Sequence, residues 1–223
     1  MHISVFKAAF AVALLSSSLA AFAESASVTQ TGAFVSVTGG KSHFDVDGNS
    51  SARYPESDRD GTAFGVLAGY RWVVARPFAF GVEAGYTHLG NTTWQGHFGG
   101  LSLQYDAKER TKVDAFLVGV NGKWDLPYDL TVTAHAGLAH MRAKSDFTET
   151  GGLIFLPSST TRTHPSWSGN RVYGGVGIGY DFSENVGLTL SYDRYSFKMD
   201  GPRDPGRTAH IGLLGLTAEY RFW

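Results

Sequence analysis

The sequence contains no cysteine, no long apolar run beyond its first residues and no excess of one charge. Because cysteine is absent, disulfide bonds cannot hold this chain together. Apolar runs after residue 23 are shorter than a membrane-spanning helix requires, so insertion into a membrane would need a closed barrel. The formal net charge of −1 offers no concentrated basic face for nucleic acid. A disulfide scaffold, a helical membrane protein and a nucleic-acid binder are therefore excluded.

The first 23 residues have the pattern of a secretory signal peptide. Lys7 supplies the positive charge, residues 8–14 form an apolar stretch, and Ala21-Phe22-Ala23 is an A-x-A cleavage site. An N-terminal membrane helix is the alternative, but this apolar stretch is too short to span a bilayer. We therefore expect cleavage before Glu24, export from the cytoplasm, and one domain at residues 24–223.

The chain is rich in glycine and phenylalanine, with 28 and 15 residues respectively, and its last segment shows how such residues are arranged. From Thr208 to Trp223 the side chains alternate with the period of two that is typical of a strand. One face is apolar and ends in Tyr220 and Phe222, whereas the other ends in Glu219 and Arg221. A transmembrane barrel strand turns its apolar face to lipid and its polar face to the lumen. The segment therefore predicts a strand of that kind.

Eight segments alternate in this way, and each is long enough for a tilted transmembrane strand of roughly 9–11 residues. The segments are residues 32–41, 62–73, 78–89, 112–124, 130–141, 171–182, 186–197 and 208–223. Short turns near Ala75, Pro127 and Glu184 alternate with long connections at 42–61, 90–111, 143–169 and 199–207. This asymmetry is typical of outer-membrane barrels. We predict an all-β protein, an eight-stranded antiparallel up-and-down transmembrane β-barrel with both termini on the short-turn side.

Several charged residues fall on the inward faces, toward the short-turn ends of their strands. They are Arg71, Glu83, Lys123, Glu219 and Arg221. A lone buried charge is very costly, and an eight-stranded barrel is just wide enough for its own side chains. We therefore expect an ion-pair network that plugs the lumen. A static polar core is the favoured interpretation, and a gate for small solutes is the alternative, since inward glycines leave room for water. His135 is interpreted as a hydrogen-bonded lumen residue.

If the barrel is a scaffold, specificity lies in its external loops. The third long loop contains an apolar run formed by Leu153, Ile154, Phe155 and Leu156. This run is a candidate for contact with lipopolysaccharide or a host surface. The alternative, which we favour, is a hairpin that extends above the membrane and packs on neighbouring loops.

A short motif in the same loop is a candidate catalytic pair. His164-Pro165-Ser166 is similar to the His-x-Ser of outer-membrane lipid A deacylases, in which a histidine activates a serine nucleophile. The asparagine that usually follows is missing, and no acid is evident that would orient the histidine. We therefore expect no enzyme activity.

The first loop matches part of a calcium-binding template. Its acidic and amide residues fall at template positions 1, 3, 5 and 12: Asp45, Asp47, Asn49 and Glu56. Ser50 stands where the template requires glycine, and no helices flank the loop. We interpret the segment as a solvated acidic loop and expect neither a metal site nor a cofactor.

From Phe64 to Trp223 the sequence resembles the OmpA-like family of small outer-membrane β-barrels. The resemblance is carried by GYRW (69–72), FGVEAGYTHLG (80–90), VNGKWDLPYDLTVTAHAGLAHMRAKS (120–145), YGGVGIGYDFSENVGLTLSYDRYSF (173–197) and the closing AEYRFW. It implies that Glu83, Lys123 and Arg221 match the family's lumen network of paired acids and bases. It also implies an assembly signal, an alternating apolar strand with an aromatic end, at Leu214, Leu216, Tyr220 and Phe222, to which Trp223 adds one residue.

The resemblance implies an integral protein of the Gram-negative outer membrane with both termini in the periplasm. We expect no peptidoglycan-binding domain, so cell-wall tethering is not implied. We expect a monomeric, non-enzymatic barrel with structural, adhesive or host-interaction roles. Its expected partners are outer-membrane lipid, lipopolysaccharide, the outer-membrane assembly machinery and a host or surface ligand, but not nucleic acid. A narrow pore and, more remotely, a lipid A-modifying hydrolase are the functional alternatives, and a soluble lipocalin-like barrel is the structural one.

Overall fold

The computed structural model describes residues 29–46, 56–99, 103–153, 159–201 and 204–223, so the predicted signal peptide lies outside the described residues. The strands are β1 (Gly32–Val46), β2 (Glu56–Asp58), β3 (Asp60–Ala75), β4 (Phe78–Gly99), β5 (Leu103–Asp125), β6 (Leu130–Leu153), β7 (Ser159–Thr163), β8 (Ser166–Asp181), β9 (Val186–Gly201) and β10 (Asp204–Phe222). A 3₁₀ turn at Pro127–Asp129 links β5 to β6. Within these residues, no helix has the length and apolar character needed to cross a membrane.

Eight of the strands close into a barrel in which each strand pairs antiparallel with its neighbours. The order around the barrel is β1, β3, β4, β5, β6, β8, β9 and β10. The first and last strands close it, with Ala33 opposite Phe222 and Val46 opposite Ala209. The predicted eight-stranded antiparallel barrel is therefore confirmed. The short strands β2 and β7 are additions to the prediction, and they pair with the far ends of β4 and β6.

The period of two decides which side chains face outward. On β5, Phe116 and Val118 are exposed, whereas the intervening Leu117 is 2% exposed. Large apolar side chains face outward on every barrel strand in the same way. From Phe116 to Trp124, about eight residues at a rise of roughly 3.3 Å and a tilt of about 40° give an apolar band about 20 Å tall. A soluble lipocalin-like barrel would not expose such a band to water.

Short turns connect the strands at one end of the barrel, as predicted. Arg76 and Pro77 join β3 to β4, residues 126–129 join β5 to β6, and residues 182–185 join β8 to β9. Exposed aromatic side chains gather at this end: Trp72, Phe78, Trp124, Tyr128, Tyr220, Phe222 and Trp223. The rings of Phe78 and Trp124 stack with their centroids 5.1 Å apart. Aromatic residues of this kind are typical of a membrane–water interface.

The long loops predicted for the opposite end are too long, because strands occupy much of them. Residues 90–111 were predicted as a loop, but β4 continues to Gly99, β5 begins at Leu103, and Gly99 pairs with Gln104. β6 likewise continues to Leu153 within the predicted loop 143–169. Beyond the lipid a strand needs no apolar face, so the alternation ends while the backbone pairing continues. We call β2, β7 and residues 91–99, 103–111 and 145–153 the β extension.

Candidate functional site

The barrel interior is the candidate site, because it buries charged side chains that need partners. All the predicted lumen residues face inward: Arg71, Glu83, Lys123 and Arg221 are at most 5% exposed, and the side chain of Glu219 is 14% exposed. From the short-turn end, the lumen contains three layers. The ion-pair layer is Arg71, Lys123, Asp181, Glu219 and Arg221; the polar layer is Glu83, His135, Tyr173, Asp193 and Tyr195; the apolar layer is Phe44, Leu89, Val113, Leu117, Met141, Ile211 and Leu213.

Arg71 and Glu219 form the best-defined pair of the ion-pair layer. Arg71 Nη1 and Nη2 lie 3.0 and 3.1 Å from the two carboxylate oxygens of Glu219. Arg71 Nε donates to Asn121 Oδ1 at 2.9 Å, and the guanidinium carbon lies 4.4 Å from the centre of the Phe34 ring. A two-point arginine–carboxylate contact has a fixed geometry. It therefore joins β3 to β10, the two strands that flank β1.

Asp181 completes the ion-pair layer, and the sequence analysis missed it. Lys123 Nζ and Arg221 Nη1 each lie 2.7 Å from Asp181 Oδ2. Glu219 is a more distant neighbour, with its Oε1 3.9 Å from Lys123 Nζ and 3.8 Å from Arg221 Nε. The inward alternation of Gly175, Gly177 and Gly179 would have placed residue 181 in the lumen, but its position at the strand end gave it the character of a turn residue.

Glu83 has other partners than the predicted basic residues. Its Oε1 accepts a hydrogen bond from the Tyr173 hydroxyl at 2.8 Å and lies 3.3 Å from His135 Nδ1. His135 Nε2 lies 2.7 Å from Asp193 Oδ1. The imidazole therefore bridges two carboxylates from β4 and β9, in agreement with its interpretation as a hydrogen-bonded lumen residue. With His135, the ion-pair and polar layers together contain four groups that can carry positive charge, Arg71, Lys123, His135 and Arg221, and four carboxylates, Glu83, Asp181, Asp193 and Glu219.

Gly175 leaves space for the polar layer. A Cβ atom at this position would lie 2.6 Å from His135 Nε2 and would also overlap Asp193 Oδ1. Contacts this close are not tolerated, so the pair of His135 and Asp193 requires glycine here. The inward glycines were expected to leave room for water, but this one makes room for side chains.

The apolar layer was not predicted, because inward faces were expected to be polar. Leu89 and Met141 are fully buried, and Leu117, Ile211 and Leu213 are at most 2% exposed. The signal was present in the sequence, since Ile211 and Leu213 alternate on the inward face of β10. An apolar constriction excludes water, and with it the ions that water carries. This layer therefore occupies the half of the lumen that lies away from the short turns.

A small cavity lies among the three layers. Its volume is about 70 Å³, and its lining includes Arg71, Glu83, His135, Asp193 and Leu213. A volume of this order holds a few water molecules beside polar groups. It does not hold a solute of metabolite size.

The residues of the predicted assembly signal lie on the outward face of β10. Leu214, Leu216, Tyr220 and Phe222 are all about half exposed, and Trp223 follows the strand. The rings of Tyr220 and Phe222 meet edge to face at 4.9 Å. The Arg221 guanidinium lies 5.8 Å from the Trp223 ring. The position fits a signal that is read from the lipid side, and that role stays a prediction.

The predicted loop motifs are only partly described. Ile154, Phe155 and Leu156 lie outside the described residues, while Leu153 ends β6. The β6–β7 pairing agrees with the favoured alternative of a hairpin above the membrane. His164 precedes β8, and its Nδ1 lies 2.7 Å from Asp146 Oδ1. An acid therefore does contact this histidine, although both side chains are exposed to solvent.

The calcium template is also incomplete in the structure. Asp45 is exposed near the end of β1 and Glu56 begins β2. Asp47, Asn49 and Ser50 lie outside the described residues. In the described part of the chain, no group of three or more His, Asp or Glu side chains could hold a metal ion.

A protein-family comparison matches nearly the whole chain. Residues 9–222 match the family described as the outer membrane protein beta-barrel domain. An uncharacterized protein of Coxiella burnetii (strain RSA 493 / Nine Mile phase I) is 30% identical over 156 residues. That match covers 64% of this chain and 62% of the relative's length.

Several solved structures are similar at lower identity. Ail, the attachment invasion locus protein of Yersinia pestis, is 17% identical, with 87% of this chain and 100% of that chain covered and a TM-score of 0.46. The outer membrane protein OprG of Pseudomonas aeruginosa is 11% identical, with 89% and 100% covered and a TM-score of 0.43. Neisserial surface protein A is 14% identical, with 85% and 97% covered and a TM-score of 0.42.

Proposed function

The chain belongs to the outer membrane protein β-barrel family, and from this premise we propose that it is a non-enzymatic, sealed barrel that presents its β extension at the cell surface for contact with a host or surface ligand. The barrel anchors the protein in the membrane and conducts nothing. The β extension supplies the contact surface.

The main support for the proposal is that successive layers of side chains fill the lumen along the barrel axis. The Asp181 ion pairs lie nearest the short turns, the His135 contacts lie between, and buried Leu117 and Met141 lie toward the β extension. A solute would have to displace both charged and apolar side chains. A gate that worked only by exchanging ion pairs would leave the apolar layer closed.

The length of the paired strands supports a role beyond the membrane. β4 and β5 stay in register from Gly90 to Gly99, about nine residues or roughly 30 Å along the strand. β5 and β6 stay paired to Leu103 and Leu153. Continuous backbone pairing makes this segment a stiff sheet, and a stiff surface loses little conformational entropy when a partner binds.

Planar-bilayer conductance of the refolded mature protein tests the sealed lumen. We expect no channel conductance from the wild type or from Glu83→Ala, because the apolar layer remains in place in both. A Leu117→Gly/Met141→Gly variant that opens this layer provides the matched comparison. Clear channels from the wild type that change with Glu83→Ala would overturn the proposal and establish the alternative, a narrow pore gated by lumen charges.

A shortened hairpin tests the role of the β extension. Gly96 pairs directly with Ala107, so an Asn-Gly turn that replaces residues 97–106 should close the hairpin without disturbing the barrel. We expect cells that carry this variant to adhere several-fold less to surfaces coated with host extracellular matrix, at equal surface amounts. Equal adhesion by both proteins would contradict a contact role for this hairpin.

A further inference from the structure

The three residues before β1 lie across the short-turn mouth of the barrel. Thr29, Gln30 and Thr31 directly precede Gly32, where β1 begins. Thr29 is only 3% exposed although it belongs to no strand. Segments at the edge of a domain are well ordered only where contacts hold them, so the contacts of these residues indicate what they do. We call residues 29–31 the N-terminal strap.

The strongest contact of the N-terminal strap reaches a distant part of the rim. The Thr29 backbone N–H donates to Asp125 Oδ2 at 2.8 Å, and the Thr29 hydroxyl donates to Asp125 Oδ1 at 2.7 Å. Hydrogen bonds to an ionised carboxylate are stronger than those between neutral groups. Asp125 ends β5, which is three places from β1 in the order around the barrel. The contact therefore ties together two strands that do not pair with each other.

Two further hydrogen bonds hold the N-terminal strap at other points of the rim. The Val73 backbone N–H donates to Thr31 Oγ1 at 3.0 Å, and Gln30 Nε2 donates to Glu184 Oε2 at 3.2 Å. Val73 lies on β3, whereas Glu184 lies in the turn that joins β8 to β9. These two anchors lie on either side of the seam at which β1 pairs with β10. The strap therefore spans the seam.

The seam between β1 and β10 is where closure of the barrel depends on contacts between the two ends of the chain. Ala33 pairs with Phe222, and Val46 pairs with Ala209. The entropy cost of closing a loop grows with its length, so this pairing costs more entropy than pairing of strands that are close in sequence. A barrel that opens at this seam uncurls. Uncurling moves β1 away from β5 and breaks the contact between Thr29 and Asp125.

We propose that the N-terminal strap keeps the barrel closed by tying β1 to β5 across the mouth and to the β8–β9 turn across the seam. The contact between Thr29 and Asp125 forms once the barrel has curled closed, and it breaks as the seam opens. Interactions that are absent from the transition state of folding slow unfolding and leave the folding rate unchanged. The strap therefore contributes kinetic stability, and this role is independent of what the β extension contacts.

Unfolding and folding rates of the mature protein in lipid vesicles test this role. Tryptophan fluorescence follows unfolding after a jump into concentrated urea and folding after dilution from it. Thr29→Val removes the hydroxyl donor at nearly constant volume, and because a hydrogen bond to a charged group is strong, we expect unfolding to be about tenfold faster. The folding rate should stay within about twofold of the wild type. Thr161→Val, at an exposed threonine of β7, is the matched control and should leave both rates unchanged.

A disulfide across the seam separates this role from a general loss of stability. Thr38 Oγ1 and Thr217 Oγ1 lie 2.8 Å apart on β1 and β10, so Thr38→Cys/Thr217→Cys places two thiols within bonding reach in a chain that has no other cysteine. With the disulfide formed, Thr29→Val should no longer raise the unfolding rate, because the seam cannot open. After reduction, the increase of about tenfold should return.

Three results would each overturn the proposal. An unfolding rate of Thr29→Val within about twofold of the wild type would show that the strap does not hold the barrel closed. A folding rate that falls as much as the unfolding rate rises would show that the contact forms before closure. An equal increase in unfolding rate with the seam disulfide intact would show that the strap acts elsewhere. Far-UV circular dichroism establishes that each variant is folded before its rates are compared.

Asp125→Ala provides a second variant that removes the same contact from the other side. Its unfolding rate should rise at least as much as that of Thr29→Val, because both hydrogen bonds are lost. Adding Thr29→Val to Asp125→Ala should then have no further effect, since residues that act through one contact are not additive. Fully additive effects would show that the two residues act separately and would also overturn the proposal.

Discussion

The two ends of the lumen are filled by opposite chemistry in the same narrow barrel. Toward the short turns, Lys123 and Arg221 share Asp181 at 2.7 Å. Toward the β extension, Leu117 and Met141 are buried among other apolar side chains. Charged groups need specific partners, whereas apolar groups need only volume. The first end therefore depends on contacts between particular strands, and the second end depends on how well its volume is filled.

The two ends also differ in how the removal of a side chain destabilises the protein. Removal of one acid leaves two buried cations without their nearest partner, which costs more than the lost contact itself. Removal of one leucine leaves a void that neighbouring side chains fill only in part. The comparison therefore predicts a graded series of stability losses from the ion-pair layer to the outer wall.

The largest effect should come from Asp181→Ala. Lys123 and Arg221 would remain buried with Glu219 at 3.8–3.9 Å as their nearest acid, and we expect a loss of about 3–5 kcal/mol in the free energy of unfolding. Urea unfolding of the protein in lipid vesicles measures it. Asp146→Ala, at an exposed acid, is the control, with an expected change within about 0.5 kcal/mol. Similar values for both variants would contradict the layered description.

A smaller loss should follow Leu117→Ala in the apolar layer. The truncation opens a cavity at a side chain that is 2% exposed, and such cavities cost about 2–4 kcal/mol. Val118→Ala, one residue along on the lipid-facing side, is the matched control and should cost less because its side chain is exposed. Vesicle-based urea unfolding compares the two. If Val118→Ala cost as much, the assignment of inside and outside on β5 would be wrong.

His135→Gln probes the layer between the two ends. The substitution keeps one polar contact but cannot bridge Glu83 and Asp193 as the imidazole does at 3.3 and 2.7 Å. We expect a loss of about 1–3 kcal/mol, the cost of one buried carboxylate left without its donor. His140→Gln is the control, because His140 is exposed and bonded to Asn170 at 2.7 Å. The same unfolding experiment measures both, and an equal effect would show that the bridge adds nothing.

The smallest effect should come from Ser166→Ala on the outer wall. Ser166 is exposed, so the free energy of unfolding should change by no more than about 0.5 kcal/mol. The covalent structure of lipid A, measured by mass spectrometry of whole cells, should be the same with wild type, Ser166→Ala or no protein. Lipid A that loses an acyl chain with the wild type alone would instead support the hydrolase alternative, in which Asp146 orients His164.

Several features of the fold could be predicted because they are local. A period of two reports directly on which side chains face lipid, so the eight strands and the inward position of Arg71, Lys123 and Arg221 followed from the sequence. The outward position of the β10 aromatic residues followed for the same reason. Strand extent beyond Gly90 could not be predicted, since the alternation disappears where the lipid ends.

By itself, the sequence determined the number of barrel strands, the lipid-facing band and the inward position of five charged residues, Arg71, Glu83, Lys123, Glu219 and Arg221. Only the tertiary structure decided that Asp181 partners Lys123 and Arg221, and that Glu83 contacts His135. It also decided that Leu117 and Met141 are buried together in the far half of the lumen. The physical reason is that alternation is a property of one strand, whereas contacts across a lumen depend on the register and stagger of strands distant in sequence.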